Sequence, residues 1–96
     1  LIFALEVYVY DKDTRQPVPG STIFLKGSDG VSIEVVCDEA GTFLFDLSAK
    51  TDYQIEVSGM DYSVSKDSLT TTGLTKSTKF AKEFYLKSII VCTGAP

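Results

Sequence analysis

With 96 residues, 44% of them hydrophobic and 23% charged, the chain has the composition and length for one core, which excludes a disordered or collagen-like polymer and two independently folding units. Its net charge is -4, and its nine Lys and Arg residues are scattered along the chain, so phosphate backbones are repelled and nucleic acid is not an expected partner. Histidine is absent and there are two cysteines, Cys37 and Cys92, which rules out a Ser-His-Asp triad, a Cys-His pair or a four-ligand zinc site within these residues.

The opening Leu1-Ile2-Phe3-Ala4-Leu5 is apolar, but Glu6 interrupts it far short of the roughly 20 residues of a spanning helix, and direct membrane insertion is not expected. The start without Met leads us to expect a processed or excised piece of a larger exported protein. From Leu5 to Tyr10 apolar Leu5, Val7 and Val9 alternate with Glu6, Tyr8 and Tyr10, the pattern of a half-buried strand. Asp11 to Gly20 gathers turn formers with Pro17 and Pro19, which predicts a long loop that leaves the sheet. Ile23 and Leu25 predict a short second strand. Ser28-Asp29-Gly30 is a hairpin turn into a third strand over Val31–Cys37, whose odd positions, Cys37 included, point inward. Asp38-Glu39-Ala40-Gly41 turns the chain again, with Gly41 supplying a positive φ. Phe43, Phe45 and Leu47, then Tyr53, Ile55 and Val57, aim into the core from the next two strands. After a turn at Gly59-Met60-Asp61, Tyr62–Leu69 reads as a weaker, more polar strand and Thr70–Lys76 as a Thr-rich loop. The last strand runs from about Phe80 to Val91, with Phe84, Leu86 and Ile90 on one face. No apolar stripe holds helical spacing over three turns. The prediction is an all-β, seven-stranded immunoglobulin-like or prealbumin-like β-sandwich forming one domain over residues 1–96.

The order of these signals resembles the carboxypeptidase regulatory-like domain, a transthyretin-like sandwich related to the collagen-adhesin B-type repeat. The residues that carry the likeness are Val7-Tyr8-Val9-Tyr10-Asp11, Thr14, Pro17-Val18-Pro19-Gly20-Ser21, Ile23-Phe24-Leu25, Asp38-Glu39-Ala40-Gly41-Thr42-Phe43 and Tyr53-Gln54-Ile55. Arg15-Gln16 stands where such domains carry a glycine, Ser21 where they carry alanine, and Met60-Asp61 separates Gly59 from Tyr62. Thr71-Thr72-Gly73-Leu74, Ser77, Phe80, Phe84-Tyr85-Leu86 and Ile89 further resemble a variant found in envelope proteins that join this domain to a β-propeller and an outer-membrane-protein-A-like peptidoglycan-binding domain. That resemblance implies the periplasm or outer membrane of a Gram-negative bacterium. It implies a spacer or assembly role, with other domains of the chain or envelope proteins as partners and peptidoglycan reached through flanking domains.

Candidate chemistry is sparse. Asp11, Asp13, Asp38 and Glu39 are carboxylates in solvated turns with nothing apolar beside them to raise a pKa, so an acid-base pair is not expected. If the strands alternate up and down, the acidic turns share one end. Asp11, Asp13, Asp38, Glu39 and Asp61 are then candidate ligands for calcium, which takes about six to eight oxygens. The alternative is that acidic residues are simply common in turns. Cys37 and Cys92 fall at that same end, and either a disulfide or a buried thiol at Cys37 is compatible with this. The chain has no asparagine, and Lys26 ends a strand at a turn, so an intramolecular isopeptide bond is not expected. Outward Tyr8 and Tyr10, with Phe24, are candidates for a carbohydrate or peptide platform, against a plain cross-strand role. The expected function is that of a non-catalytic accessory domain; a calcium-stabilised adhesion or carbohydrate-binding module is the alternative.

Overall fold

Alternation along each segment translates directly into two half-buried sheets. The computed structural model of the protein describes residues 1–89, and these form seven strands without a helix. They are β1 (Phe3–Asp11), β2 (Thr22–Gly27), β3 (Ser32–Val36), β4 (Thr42–Leu47), β5 (Asp52–Ser58), β6 (Ser65–Thr70) and β7 (Thr78–Leu86). One sheet has the order β4-β1-β7 and the other β3-β2-β5-β6. β1 pairs antiparallel with β4 but parallel with β7, because the chain crosses to the second sheet for β5 and β6 before it returns.

The core lies between the sheets. Phe3, Leu5, Val7 and Val9 of β1 are buried, while Ala4, Glu6, Tyr8 and Tyr10 face outward, a consequence of the period of two in a pleated strand. Leu5 sits in register with Phe45 on one side and Phe80 on the other. In the second sheet Ile23 opposes Val57 and Leu25 opposes Ile55, all four within 1% of full burial. Each such side chain stabilises the fold by about 1.5–3 kcal/mol. The fold predicted from alternation is the fold observed.

Strand directions gather the 12–21 loop, the 37–41 turn and the 59–64 segment at one end, here the acidic pole, and the 28–31, 48–51 and 71–77 segments at the other. Four expectations are corrected, the first being that the 11–20 loop leaves the sheet: Pro17 bridges to Tyr10, and the Val18 N–H donates to the Val9 carbonyl. β7 stops at Leu86 rather than continuing to Val91. The chain there leaves the sheet: the Ser63 N–H donates to the Lys87 carbonyl, the Ile89 N–H donates to the Asp61 carbonyl, and Tyr62 bridges to Ser88. The same pairing occupies Tyr62 and Ser63, so β6 begins at Ser65 and not at Tyr62. β3 spans Ser32–Val36, and Val31 is 44% exposed in the turn before it. Ile90, Val91 and Cys92 lie outside the described residues.

Candidate functional site

The loop after β1 is built on one carboxylate. Asp11 Oδ1 accepts the N–H groups of Asp13 (2.8 Å) and Thr14 (3.0 Å), and Oδ2 accepts the Tyr62 hydroxyl (2.7 Å) from across the acidic pole. The chain then reverses: the Arg15 N–H donates to the Asp11 carbonyl and the Asp11 N–H donates to the Gln16 carbonyl. Arg15 holds φ at 63°, the left-handed conformation that a glycine would take without strain. The turn aims its guanidinium over the Tyr85 ring, 5.1 Å from the centroid.

Tyr85 continues a row of rings on the outer face of the three-stranded sheet. Tyr10 stacks on Tyr85 at 5.4 Å and on Tyr8 at 6.4 Å, the latter pair nearly parallel at 5°. The row is pinned along one side. The Tyr8 hydroxyl donates to Glu6, whose carboxylate also meets Lys79 Nζ at 3.2 Å, and the Tyr85 hydroxyl donates to Glu83 at 3.4 Å. The Tyr8 hydroxyl and then Lys79 hold the Glu6 carboxyl below its usual range, and Glu6 in turn pushes the Tyr8 phenol up. Of this surface, sequence reasoning identified Tyr8 and Tyr10 and missed Arg15 and Tyr85. The signal for Tyr85 was available in part, since inward Phe84 and Leu86 make it outward. Its register with Tyr10 is a long-range fact. Phe24 is no part of this platform: it lies on the outer face of the other sheet, beside a shallow groove of about 430 Å³ whose walls include Lys26, Gln54, Glu56, Lys66 and Ser68.

Arg15 sets up a test. Arg15→Gly removes a left-handed strain of about 1–2 kcal/mol and a cation–π contact of about 0.5–1 kcal/mol, so its urea midpoint is expected to match or slightly exceed that of the parent. Arg15→Ala keeps the strain, loses the contact and is expected to lower the midpoint.

The other predicted acidic ligands are spread over separate turns. Asp38 closes the 38–41 turn: Oδ1 accepts the Ala40 and Thr42 N–H groups, both at 3.0 Å, and the Thr42 hydroxyl donates to both oxygens. Asp13, Glu39 and Asp61 are exposed, and Asp61 holds a left-handed φ of 64°. Among the described residues no three His, Cys, Asp or Glu side chains are grouped so as to hold a metal ion.

These carboxylates link folding to pH. The Tyr62 hydroxyl and then the loop N–H groups hold the Asp11 carboxyl below its ordinary range, and the Thr42 N–H does the same for Asp38. A depressed folded-state pKa gives stability that is fully present above the ordinary aspartate pKa and lost as pH falls through the folded value. The melting temperature is therefore expected to hold at neutral pH and drop on acidification below the ordinary aspartate range. Asp38→Asn is expected to flatten that drop in a pH-resolved melting series.

Buried polar groups elsewhere are paired internally. Cys37 is buried, as predicted, with its thiol 3.4 Å from the Val18 carbonyl, which also accepts the Ser21 hydroxyl at 2.7 Å. Cys92, the other member of the candidate pair, lies outside the described residues. At the opposite pole Thr71, 1% exposed, donates to the Ser48 carbonyl (2.7 Å) and accepts the Thr51 N–H (3.0 Å). Lys26 is exposed at the end of β2.

Comparison with known proteins agrees with this geometry. The family model described as the CarboxypepD_reg-like domain matches residues 8–91. No curated protein matches the chain. Among solved structures, the crystal structure of S.CueP superposes with a TM-score of 0.62 at 16% identity, covering 88% of this chain and 63% of that one. This is a likeness of fold, and the chain spans under two thirds of that protein.

Proposed function

The chain belongs to the CarboxypepD_reg-like domain family, and from that premise we propose that this small β-sandwich module is a non-catalytic accessory domain that spaces and docks the domains of a bacterial envelope protein. The observation that carries the reading is the Tyr8-Tyr10-Tyr85 row capped by Arg15. Tyrosine and arginine dominate the energetics of protein contacts, since they present large rigid area with a polar edge. A row of three rings on an outer sheet face suits a flat contact with a neighbouring domain. The proposed setting is the periplasm or outer membrane, with peptidoglycan engaged by flanking domains.

The test is an NMR comparison of the isolated domain with the same domain inside its longer chain. Shifts confined to Tyr8, Tyr10, Arg15 and Tyr85 support docking through this face. Unchanged shifts there overturn it. Titration with soluble peptidoglycan fragments distinguishes the second reading, carbohydrate binding, which the nearly parallel Tyr8 and Tyr10 rings favour. Fractionation of cells expressing the longer chain checks the compartment.

The module is proposed to work without calcium, because the oxygens of Asp11 and Asp38 are already taken by loop donors. Thermal unfolding is expected to give the same midpoint in calcium and in chelator. A rise with calcium would show native-state binding and bring the adhesion reading forward.

A further inference from the structure

β4 is an edge strand, and its backbone shows which groups it leaves open. The Val9 N–H donates to the Gly41 carbonyl, so odd positions along this segment aim their backbone groups at β1. Even positions aim away. Thr42 is occupied on that side: its N–H goes to the Asp38 carboxylate (3.0 Å) and its carbonyl accepts the Asp38 N–H (3.2 Å). Past the other end of β4, the Ser48 N–H goes to the Tyr53 hydroxyl (2.7 Å) and the Ser48 carbonyl accepts the Thr71 hydroxyl (2.7 Å). Between these two caps the N–H and C=O groups of Leu44 and Asp46 face outward with no strand of the described residues beside them.

The edges differ in how they are guarded. β7 carries Lys79 and Lys82, β6 carries Lys66 and Asp67, and those two flanks are tied together by Lys82 and Asp67 at 3.1 Å. β3 carries a central Glu34. β4 is Thr-Phe-Leu-Phe-Asp-Leu, with a single charge near its end and Leu44 at 54% exposure. Lysines and central charges are the usual protection against edge pairing, and β4 has neither.

We propose that this edge pairs antiparallel with the same edge of a second copy, about a two-fold axis at Phe45. Leu44 then lies opposite Asp46 of the copy, and the four open N–H and C=O groups of each strand satisfy those of the other. The register is self-complementary. The two open residues are two apart, so the axis maps one window onto the other, and the caps at Thr42 and Ser48 stop pairing on both sides. Inner Phe45 meets its own copy, no like charges stand opposite each other, and the two three-stranded sheets become one of six, an isologous contact.

Sedimentation velocity over roughly a hundredfold concentration range tests the pairing, with amide exchange as a second readout. The expected result is a mass that doubles with concentration while exchange at the Leu44 and Asp46 amides slows. Because position 44 faces Asp46 of the copy, the ammonium of Leu44→Lys meets an opposite charge instead of standing unpaired at the edge and is expected to tighten the dimer, while Leu44→Glu is expected to loosen it, each by roughly 2- to 30-fold. Both side chains are exposed, so the fold persists, as an unchanged melting temperature of dilute protein will show. A monomer at every concentration overturns the proposal, as does a dimer indifferent to both substitutions. Loosening by both overturns this register, since it would place position 44 opposite itself.

Discussion

Gly41→Ala is expected to lower the unfolding free energy by about 2–4 kcal/mol, a substantial fraction of the roughly 5–15 kcal/mol of a domain of this size. Two effects add. Gly41 has φ at 71°, where an alanine costs about 1–2 kcal/mol. An added Cβ would also lie 2.7 Å from the Val9 carbonyl oxygen and 3.2 Å from both Pro17 Cβ and Val18 N. That contact is with backbone and cannot be relieved by rotating a side chain. The Val9 carbonyl accepts the Val18 N–H at 3.0 Å, and the Val9 N–H donates to the Gly41 carbonyl at 2.8 Å, so any shift weakens hydrogen bonds of about 0.5–1.5 kcal/mol each. Gly30 provides the control. Its φ is 91° but nothing lies within 4 Å of its added Cβ, so Gly30→Ala is expected to cost only the conformational part, about 1–2 kcal/mol. Urea unfolding of both variants decides the point: equal losses would mean that the close approach to Val9 contributes nothing.

Thr71→Val is the second large effect, about 1–3 kcal/mol. The substitution keeps the volume but strips the hydroxyl from a site 1% exposed, leaving the Thr51 N–H without its 3.0 Å acceptor and the Ser48 carbonyl without its 2.7 Å donor. The Thr51 N–H is left unsatisfied in a buried site, at about 1–3 kcal/mol, while the carbonyl of exposed Ser48 turns to water. Thr71→Ser retains the hydroxyl and loses a methyl, a cost of about 1 kcal/mol. Urea midpoints with unchanged slope are the measure. A serine variant as damaged as the valine variant would place the role of Thr71 in packing instead. The same hydroxyl caps the end of the β4 edge, so Thr71→Val is also expected to widen the window available for strand pairing.

The differences between sequence reading and structure fall on particular residues. β1 was legible because alternation is local: Leu5, Val7 and Val9 share a face in any extended backbone. Gly41 was legible because few residues other than glycine tolerate a positive φ in a tight turn before a strand. Thr71 was not, since a threonine in a polar, Thr-rich segment reads as solvated, and only its contact with Ser48 and Thr51, about twenty residues earlier, buries it. The end of β7 at Leu86 was likewise hidden, because Ile89 and its neighbours look like more strand until Asp61 and Ser63 take their backbone groups. The acidic turns were placed at one pole correctly from strand count alone, yet which oxygens are taken depends on partners as distant as Tyr62 is from Asp11.

The sequence by itself determined the all-β class, the face of each strand and the positions of the turns, because period-two alternation and positive-φ glycines act within a few residues. Only the tertiary structure decided that β7 returns parallel beside β1, that Tyr10, Tyr85 and Arg15 therefore meet, and that β4 is left, among the described residues, as an edge with two residues open. Neighbour choice between strands is settled by packing across the whole core, and residues some 75 positions apart carry no local mark of it.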